Sequence, residues 1–249
     1  MYGLTQSLNV VRASSQRASR GDTYGLTSWQ AFTIECWFQL DSLPTSGQVF
    51  GLGTIGWATI GAHLWVENNA GVYTIVGYRH AWGTNVTTIS YTFTPVVGEW
   101  HHIAFTKDSS HNGELIYDGV SVATGALGSG TGTTQTINSV FGCGWNNGSF
   151  THFSDGNISL GRIWSTNRSA TQIADNMCNV FGTAETNMRA EYSFDNVYTD
   201  ASGNGYTLTA TNSPTFEATL PSLCSSSPTL LGSSMPSVSF SKKFSAHAY

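Results

Sequence analysis

The side chains that could catalyse a reaction are few and are poorly spaced for it. Hydrolysis of a glycosidic bond needs two carboxylates about 5 to 9.5 Å apart, which on one strand means acids two residues apart. Glu35 has no acidic neighbour at position 33 or 37, and Glu114 and Asp118 bracket an expected hairpin. His101 and His102 are adjacent, so on a strand they point to opposite faces and cannot act as a pair. The sequence therefore predicts a protein that is not an enzyme.

Aromatic rings beside amides could instead hold a sugar. A ring covers the apolar C–H face of a sugar, and an amide hydrogen-bonds to its hydroxyl groups. Trp82 and the run Trp145, Asn146 and Asn147 offer this pairing, and we predict them as carbohydrate contacts. Other aromatic residues that could stack on a sugar are Trp57, Trp65 and Tyr78. The alternative is ordinary packing between two sheets, since tryptophan is easily buried in a sandwich.

Asp200 is a candidate metal ligand in the turn Asp-Ala-Ser-Gly-Asn-Gly, residues 200–205. One interpretation is that its carboxylate accepts backbone N–H bonds inside a tight turn. The other is that it binds calcium, because hard oxygen ligands cluster in such turns. Beyond this calcium candidate, the sequence predicts no cofactor.

The cysteines Cys36, Cys143, Cys178 and Cys224 are widely spaced. They form no CxxC pair, so a zinc site is not expected. We expect four free thiols, and a disulfide between Cys178 and Cys224 stays open as the alternative.

The composition is that of a β-rich chain with little charge. Among 249 residues there are 27 glycines, and charged residues make up only 10%. The formal net charge of −5 argues against a nucleic-acid partner held through phosphates.

No apolar stretch is long enough for a transmembrane helix, so membrane insertion is not expected. The N-terminus lacks a basic region followed by an apolar run, and its Met favours a protein kept in a cytoplasm until release.

Short antiparallel strands should position these residues. Phe32 to Leu40 alternates as a central strand, and Gly98 to Gly125 reads as a three-stranded meander with a turn at Asp118-Gly119. Four strands are expected between Gln48 and Thr94, with turns near 53–56 and 68–71. The predicted core includes Ile34, Phe38, Ile103, Phe105, Val120, Ile163 and Phe194.

One short helix is expected near Ser169 to Phe181. Ser169 is a good N-cap residue, and Gln172 stands three residues later, which together make a capping box. Ile173, Met177 and Val180 fall on one face of such a helix.

Four segments together resemble the LamG-like jelly rolls, the laminin-G and pentraxin relatives of the concanavalin A-like sandwich. In order along the chain they are FTIECWFQLDSLP, GEWHHIAFTKD…GELIYDGVSVATG, ISLGRIWSTNRSATQI and AEYSFDNVYTDASGNGYTLTATNSPTF. The resemblance implies an all-β, two-sheet antiparallel jelly-roll sandwich over residues 7–217, within a domain 1–218. Relatives often carry an acidic pair before the arginine of RIW, where this chain has Ser159 and Leu160. The fold serves lectins, adhesins, enzyme appendages and virion proteins, so it does not choose a function.

Residues 219–249 lie beyond the resemblance and are predicted to form an extended, Ser/Pro-rich C-terminal arm. Apolar residues recur among the serines, and they could add a strand to a neighbouring subunit or fill its groove. The subunit contacts predicted in this way are Val238, Phe240, Phe244 and Tyr249. The alternative is a free terminus.

Two functions follow from these observations. The first is a non-enzymatic structural or adhesive virion protein of a phage or virus, such as a capsid decoration or fibre subunit. Its partners would be copies of itself, other virion proteins and surface glycans. The second is an extracellular, lectin-like carbohydrate-binding module that could depend on calcium.

Overall fold

A computed structural model describes residues 4–27, 30–57, 60–81, 87–127, 138–146 and 149–224. Of Asn146 it describes only the backbone. The other predicted contact residues, Trp82, Asn147, Val238, Phe240, Phe244 and Tyr249, lie outside the described residues.

The described chain consists mainly of strands. They are β1 Ser7–Val10, β2 Arg17–Arg20, β3 Phe32–Leu40, β4 Val49–Trp57, β5 Ile60–Asn69, β6 Val72–Ala81, β7 Thr87–Thr92, β8 Trp100–Lys107, β9 Asn112–Tyr117, β10 Val120–Ala126, β11 Ser139–Phe141, β12 Gly144–Asn146, β13 Ser149–Thr151, β14 Gly156–Trp164, β15 Met188–Tyr192, β16 Thr209–Thr211 and β17 Thr215–Glu217. The helix α1 spans Ala170–Asn176, and 3-10 turns span Arg12–Ser14 and Ser222–Cys224. No helix in this part of the chain is long and apolar enough to cross a membrane.

Two antiparallel sheets pack face to face. The first sheet has the order β10-β9-β8-β3-β14-β1-β17, with β15 also paired to β14. The second sheet has the order β16-β2-β11-β4-β5-β6-β7, and β12 and β13 form a separate hairpin. A continuous apolar core fills the space between the two sheets. The all-β, two-sheet prediction is therefore confirmed.

The predicted core is confirmed at six of its seven positions, and Val120 is the exception. Ile34, Phe105 and the other four are at most 1% exposed, whereas Val120 is 62% exposed. Val120 begins β10, which is the edge strand of the first sheet, directly after the turn at Asp118-Gly119. A bulge after Ser121 then shifts the register of β10. Alternation alone could not show that this residue starts an edge strand.

The predicted turn near residues 53–56 is wrong, because β4 runs without interruption from Val49 to Trp57. Its glycines reflect a close backbone approach instead. A Cβ at Gly51 would lie 2.4 Å from the backbone of Cys143, and a Cβ at Gly56 would lie 2.3 Å from the carbonyl oxygen of Asn138. β11 pairs with β4, and the residues on either side of β11 lie against β4 at these two positions, where only glycine leaves room for them.

The predicted capping box is confirmed at the start of α1. The Ser169 side chain accepts a hydrogen bond from the Gln172 amide, and the Gln172 side chain accepts one from the Ser169 amide. The helix ends at Asn176, which is earlier than predicted. Ile173 packs on Ala104 and Ile116, so α1 covers part of the outer face of the first sheet.

The expectation of four free thiols is wrong, because Cys178 and Cys224 form a disulfide. Cys36 and Cys143 are free and buried. Thr219 contacts the domain as well, since its hydroxyl accepts a hydrogen bond from the indole of Trp100 at 3.2 Å. Residues up to 224, which the sequence assigned to the arm, are thus attached to the sandwich. Cys178 and Cys224 are 46 residues apart in the sequence, so no local sequence pattern could predict their pairing.

Candidate functional site

The hairpin of β12 and β13 lies over the outer face of the second sheet. Trp145 is only 6% exposed and packs with Val140 and Cys143. Its ring also meets Phe150 of β13 edge to face, with the ring centroids 4.7 Å apart. Trp145 therefore anchors the hairpin to the sheet by burying its indole.

Beside the hairpin, a row of aromatic rings continues along β5. The rings of Trp65 and His63 stack with their centroids 5.5 Å apart, and His63 is held through its Nδ1, 3.0 Å from the Thr54 hydroxyl. Trp65 also meets His152 edge to face at 5.6 Å. Trp65 is half-buried, so part of its indole is available to a ligand.

A cleft of about 390 Å³ lies at the end of the hairpin, and we call it the hairpin cleft. Its wall residues come from three parts of the chain: the 3-10 turn after β1, the start of β4 and the segment after β13. They are Arg12, Ser15, Gly47, Gln48, Val49, His152 and Phe153. The cleft thus combines a guanidinium, an amide, a hydroxyl group and aromatic rings, while none of these wall residues is acidic.

His152 joins the hairpin cleft to the aromatic row. Its backbone has a left-handed φ of 55°, and its carbonyl oxygen accepts a 2.6 Å hydrogen bond from the Gly51 amide. Burial lowers the pKa of His152 below its ordinary value, so the imidazole is neutral at pH 7. The ring can therefore contact an apolar sugar face without adding charge to the cleft.

A second cleft, of about 350 Å³, lies near the connection between β8 and β9. Its wall is polar and includes Asp108, Asn112, Glu114 and Asn167. No aromatic residue lines it in the part of the chain that the structure describes. The hairpin cleft is the better carbohydrate candidate because it offers rings as well as polar groups.

The predicted contact Trp145 does not line the hairpin cleft, and its side chain is buried. Trp145 and Asn146 belong to β12, and Asn146 pairs with Ser149 at the turn end of the hairpin, whereas the cleft is lined by His152 and Phe153 at the other end. The indole of Trp145 faces the sheet, so a ligand would meet the hairpin rather than this ring. Sequence reasoning gave Trp65 no priority over other aromatics and did not identify Arg12, Gln48 or His152.

Asp200 organises its turn through hydrogen bonds. Its Oδ1 accepts bonds from the backbone amides of Glu191 and Ser202, at 3.0 and 2.9 Å. Its Oδ2 accepts a bond from the Tyr206 amide at 3.0 Å. Within the described ranges, no group of three or more His, Cys, Asp or Glu residues could hold a metal ion. These bonds account for Asp200 as a turn residue, and calcium binding there stays an untested prediction.

Two carboxylates do come together elsewhere, in a cluster on the outer face of the first sheet. Arg162 donates from Nε to Glu191 at 3.1 Å and lies 3.6 Å from Glu35. Glu35 also accepts a 2.7 Å bond from the indole of Trp164, and its Oε2 lies 3.3 Å from Nε2 of His102. All five side chains are buried, and neither carboxylate is more than 1% exposed. Both carboxylates are therefore paired with Arg162 and shielded from solvent.

The fold is similar to several solved structures. A Bacteroides ovatus protein whose carbohydrate binding is provisionally assigned matches 86% of this chain with a TM-score of 0.60 and 18% identity. This chain covers 60% of that protein's length. A heptameric SAP-like pentraxin of Limulus polyphemus matches 90% of the chain, and 93% of its own length, with a TM-score of 0.56 and 12% identity.

A third similar structure is the CBM40 domain of the Ruminococcus gnavus IT-sialidase, solved with bound α2,3-sialyllactose. It matches 68% of this chain and 95% of its own length, with a TM-score of 0.51 and 15% identity. No curated protein sequence matches the chain. Residues 14–174 match the family model of the concanavalin A-like lectin/glucanases superfamily, and the chain belongs to that superfamily.

Proposed function

We propose that the chain is a lectin-like, carbohydrate-binding domain that holds a glycan in the hairpin cleft. The observation that carries this proposal is the composition of the cleft and its margin. Trp65, His152 and Phe153 supply rings beside the amide of Gln48 and the guanidinium of Arg12. Rings cover the C–H faces of a sugar, and polar groups fix its hydroxyl groups. The volume of about 390 Å³ falls within the usual range of small-molecule sites.

The relatives give support at the level of the fold. The Bacteroides ovatus protein and the CBM40 domain are described as carbohydrate-binding. The same fold hosts other activities, so the analogy adds weight to the cleft and does not replace it.

Binding without catalysis is the form of the function that we propose. The wall of the hairpin cleft contains no Asp or Glu in the described chain, whereas glycoside hydrolysis uses a carboxylate pair. Glu35 and Glu191, the carboxylates that do meet, are buried away from the cleft.

The disulfide bears on where the domain works. Disulfides persist in oxidising surroundings such as the extracellular space and the surfaces of virions. The Cys178–Cys224 bond therefore suits both predicted locations and does not choose between them. A role on a virus particle and contacts through the C-terminal arm remain predictions.

The direct test is a glycan array probed with the full chain. We expect reproducible binding to a restricted set of glycans in buffer with calcium, and the same set after EDTA treatment, because none of the described residues that line the hairpin cleft is acidic. Binding that disappears with EDTA would move the site to a calcium centre. An array on which nothing is bound would reject carbohydrate recognition.

A further inference from the structure

Arg12 brings a positive charge without a counter-ion to the hairpin cleft. The whole chain has 10 Lys and Arg residues against 15 Asp and Glu residues. Two other arginines are neutralised, since Arg20 pairs with Asp22 and Arg162 with Glu191. Arg12 is exposed and takes part in none of the ion pairs between described residues. An acidic protein thus presents a free guanidinium at its candidate glycan site.

The carboxylate near Arg12 is already engaged by other groups. Asp155 Oδ1 accepts a bond from the backbone amide of Arg12 at 3.3 Å. Asp155 Oδ2 accepts a bond from the Ser42 hydroxyl at 2.6 Å. Asp155 therefore fixes the backbone of Arg12, while the guanidinium stays available to a ligand.

The turn that carries Arg12 is held in place before any ligand arrives. The Gln16 side chain accepts a bond from the Val11 amide at 2.8 Å and donates one to the Ser213 carbonyl at 3.0 Å. Asn212 donates to the Ser14 carbonyl at 3.0 Å. A fixed turn lowers the entropy that would be lost on binding.

A second wall residue of the cleft, Gln48, adds a neutral donor. Gln48 Oε1 accepts a bond from the Thr45 amide at 2.9 Å, which orients the side chain. Its Nε2 has no hydrogen-bond partner among the described residues, so it can donate to a ligand. His152 is neutral at pH 7, which leaves Arg12 as the charged group of the wall.

We infer that the hairpin cleft selects glycans that carry a carboxylate, which Arg12 binds while the sugar ring lies against His152 and Phe153. This inference rests on the proposed function. A planar guanidinium matches a carboxylate with two parallel N–H bonds, and such charge-assisted bonds are stronger than neutral ones. Sialic acids and hexuronic acids are the sugars with this chemistry.

The test is isothermal titration calorimetry with one neutral oligosaccharide and its acidic derivatives. The derivatives carry a terminal sialic acid, a terminal glucuronic acid, a carboxyl-reduced glucuronic acid, or a sulfate. We expect at least one carboxylate derivative to bind roughly tenfold or more tightly than the neutral parent. The carboxyl-reduced sugar should bind like the parent, and the sulfated sugar more weakly than the carboxylate. Comparison of the sialic acid and glucuronic acid derivatives shows which acidic sugar the cleft binds.

Variants of Arg12 then assign the preference to this residue. Arg12→Gln should remove the roughly tenfold advantage of the acidic sugar, and Arg12→Lys should restore only part of it. Arg189→Gln on β15, outside the cleft, makes the same change in charge and should keep the full advantage. The melting temperature of each variant confirms that it is folded.

The outcomes separate this inference from the proposed function. Equal binding of neutral and acidic sugars overturns the inference and keeps the carbohydrate site. An acidic preference that survives in Arg12→Gln also overturns the inference and keeps the carbohydrate site. A sulfated sugar that binds as tightly as the carboxylate sugar would show simple charge attraction, and it would overturn the selectivity for carboxylates. If no sugar of any kind binds, the proposed function itself fails.

Discussion

Trp65 and His152 meet edge to face beside the hairpin cleft, with their ring centroids 5.6 Å apart. Trp65 belongs to β5 of the second sheet, and His152 directly follows β13 of the hairpin. Their contact joins the second sheet to the hairpin of β12 and β13. Both rings therefore depend on the same packing that forms the cleft.

We expect Trp65→Ala to weaken glycan binding by roughly tenfold, since the variant removes the apolar ring surface that the sugar would cover. The measurement is calorimetry with the tightest glycan from the array. Trp100→Ala is the matched control, because it removes a half-buried tryptophan from the first sheet, away from the cleft. Equal losses in both variants would point to general destabilisation rather than to a contact at Trp65.

We expect Gly51→Ala to destabilise the domain by about 1–3 kcal/mol, because the added Cβ would overlap the backbone of Cys143 and Gly144. Displacement of the backbone at Cys143 and Gly144 should also weaken glycan binding. Urea unfolding and calorimetry measure the two effects. Gly21→Ala, where a Cβ meets nothing within 4 Å, should change stability by less than about 0.5 kcal/mol. An unchanged Gly51→Ala would show that the hairpin does not lie as tightly on β4 as described.

We expect the domain to lose stability in acid through Glu35. Burial alone would raise the pKa of Glu35, but the bond to His102, the charge of Arg162 and the indole of Trp164 lower it to about 2. A carboxyl whose pKa is lowered by folding stabilises the fold at pH values above its pKa in the unfolded chain. That contribution is lost as the pH falls through its pKa in the folded protein. The loss should amount to about 3 kcal/mol and fall between pH 4.5 and about pH 2.

Urea unfolding of the wild type and of Glu35→Gln between pH 7 and pH 2 measures this loss. Glu35→Gln should be less stable at pH 7 and should have a shallower pH dependence in the acid range. Parallel curves for the two proteins would assign the acid sensitivity to other carboxylates.

We expect two of the four cysteines to react with an alkylating agent when the protein is denatured without reductant, and all four after reduction. Mass spectrometry of the peptides should place the two unreactive sites at Cys178 and Cys224. Replacing both with Ala should cost roughly 4 kcal/mol, which is the chain-entropy value for a loop of this length. Four reactive thiols in the unreduced protein would contradict the bond.

We expect deletion of residues 225–249 to leave the melting temperature unchanged and to abolish self-association, if the C-terminal arm contacts a neighbouring subunit. Light scattering after size-exclusion chromatography measures the mass of both proteins. The deletion starts at 225 because Cys224 is bonded to Cys178. An earlier cut would also disturb the sandwich. The intersubunit role of the arm would be rejected by identical masses.

Local chemistry in the sequence determined several elements of this protein. Alternation between Phe32 and Leu40 defines β3 with the predicted bounds, and Ser169 with Gln172 defines the start of α1. These signals depend on neighbours within one strand or one helical turn, so a single segment contains all the information. The two-sheet sandwich, in contrast, followed from the resemblance of four ordered segments to the jelly rolls.

The tertiary structure alone decided the environment of several side chains. Arg12, Gln48 and His152 line one cleft from three distant segments, Trp65 contacts His152 beside it, and no spacing between these residues is a motif. The glycines of β4 resemble turn residues until the residues that flank β11 are packed against them. Trp145 was expected to be exposed and is buried, whereas Val120 was expected to be buried and is exposed. Burial depends on which other elements cover a residue, and this is set by contacts far apart in the chain.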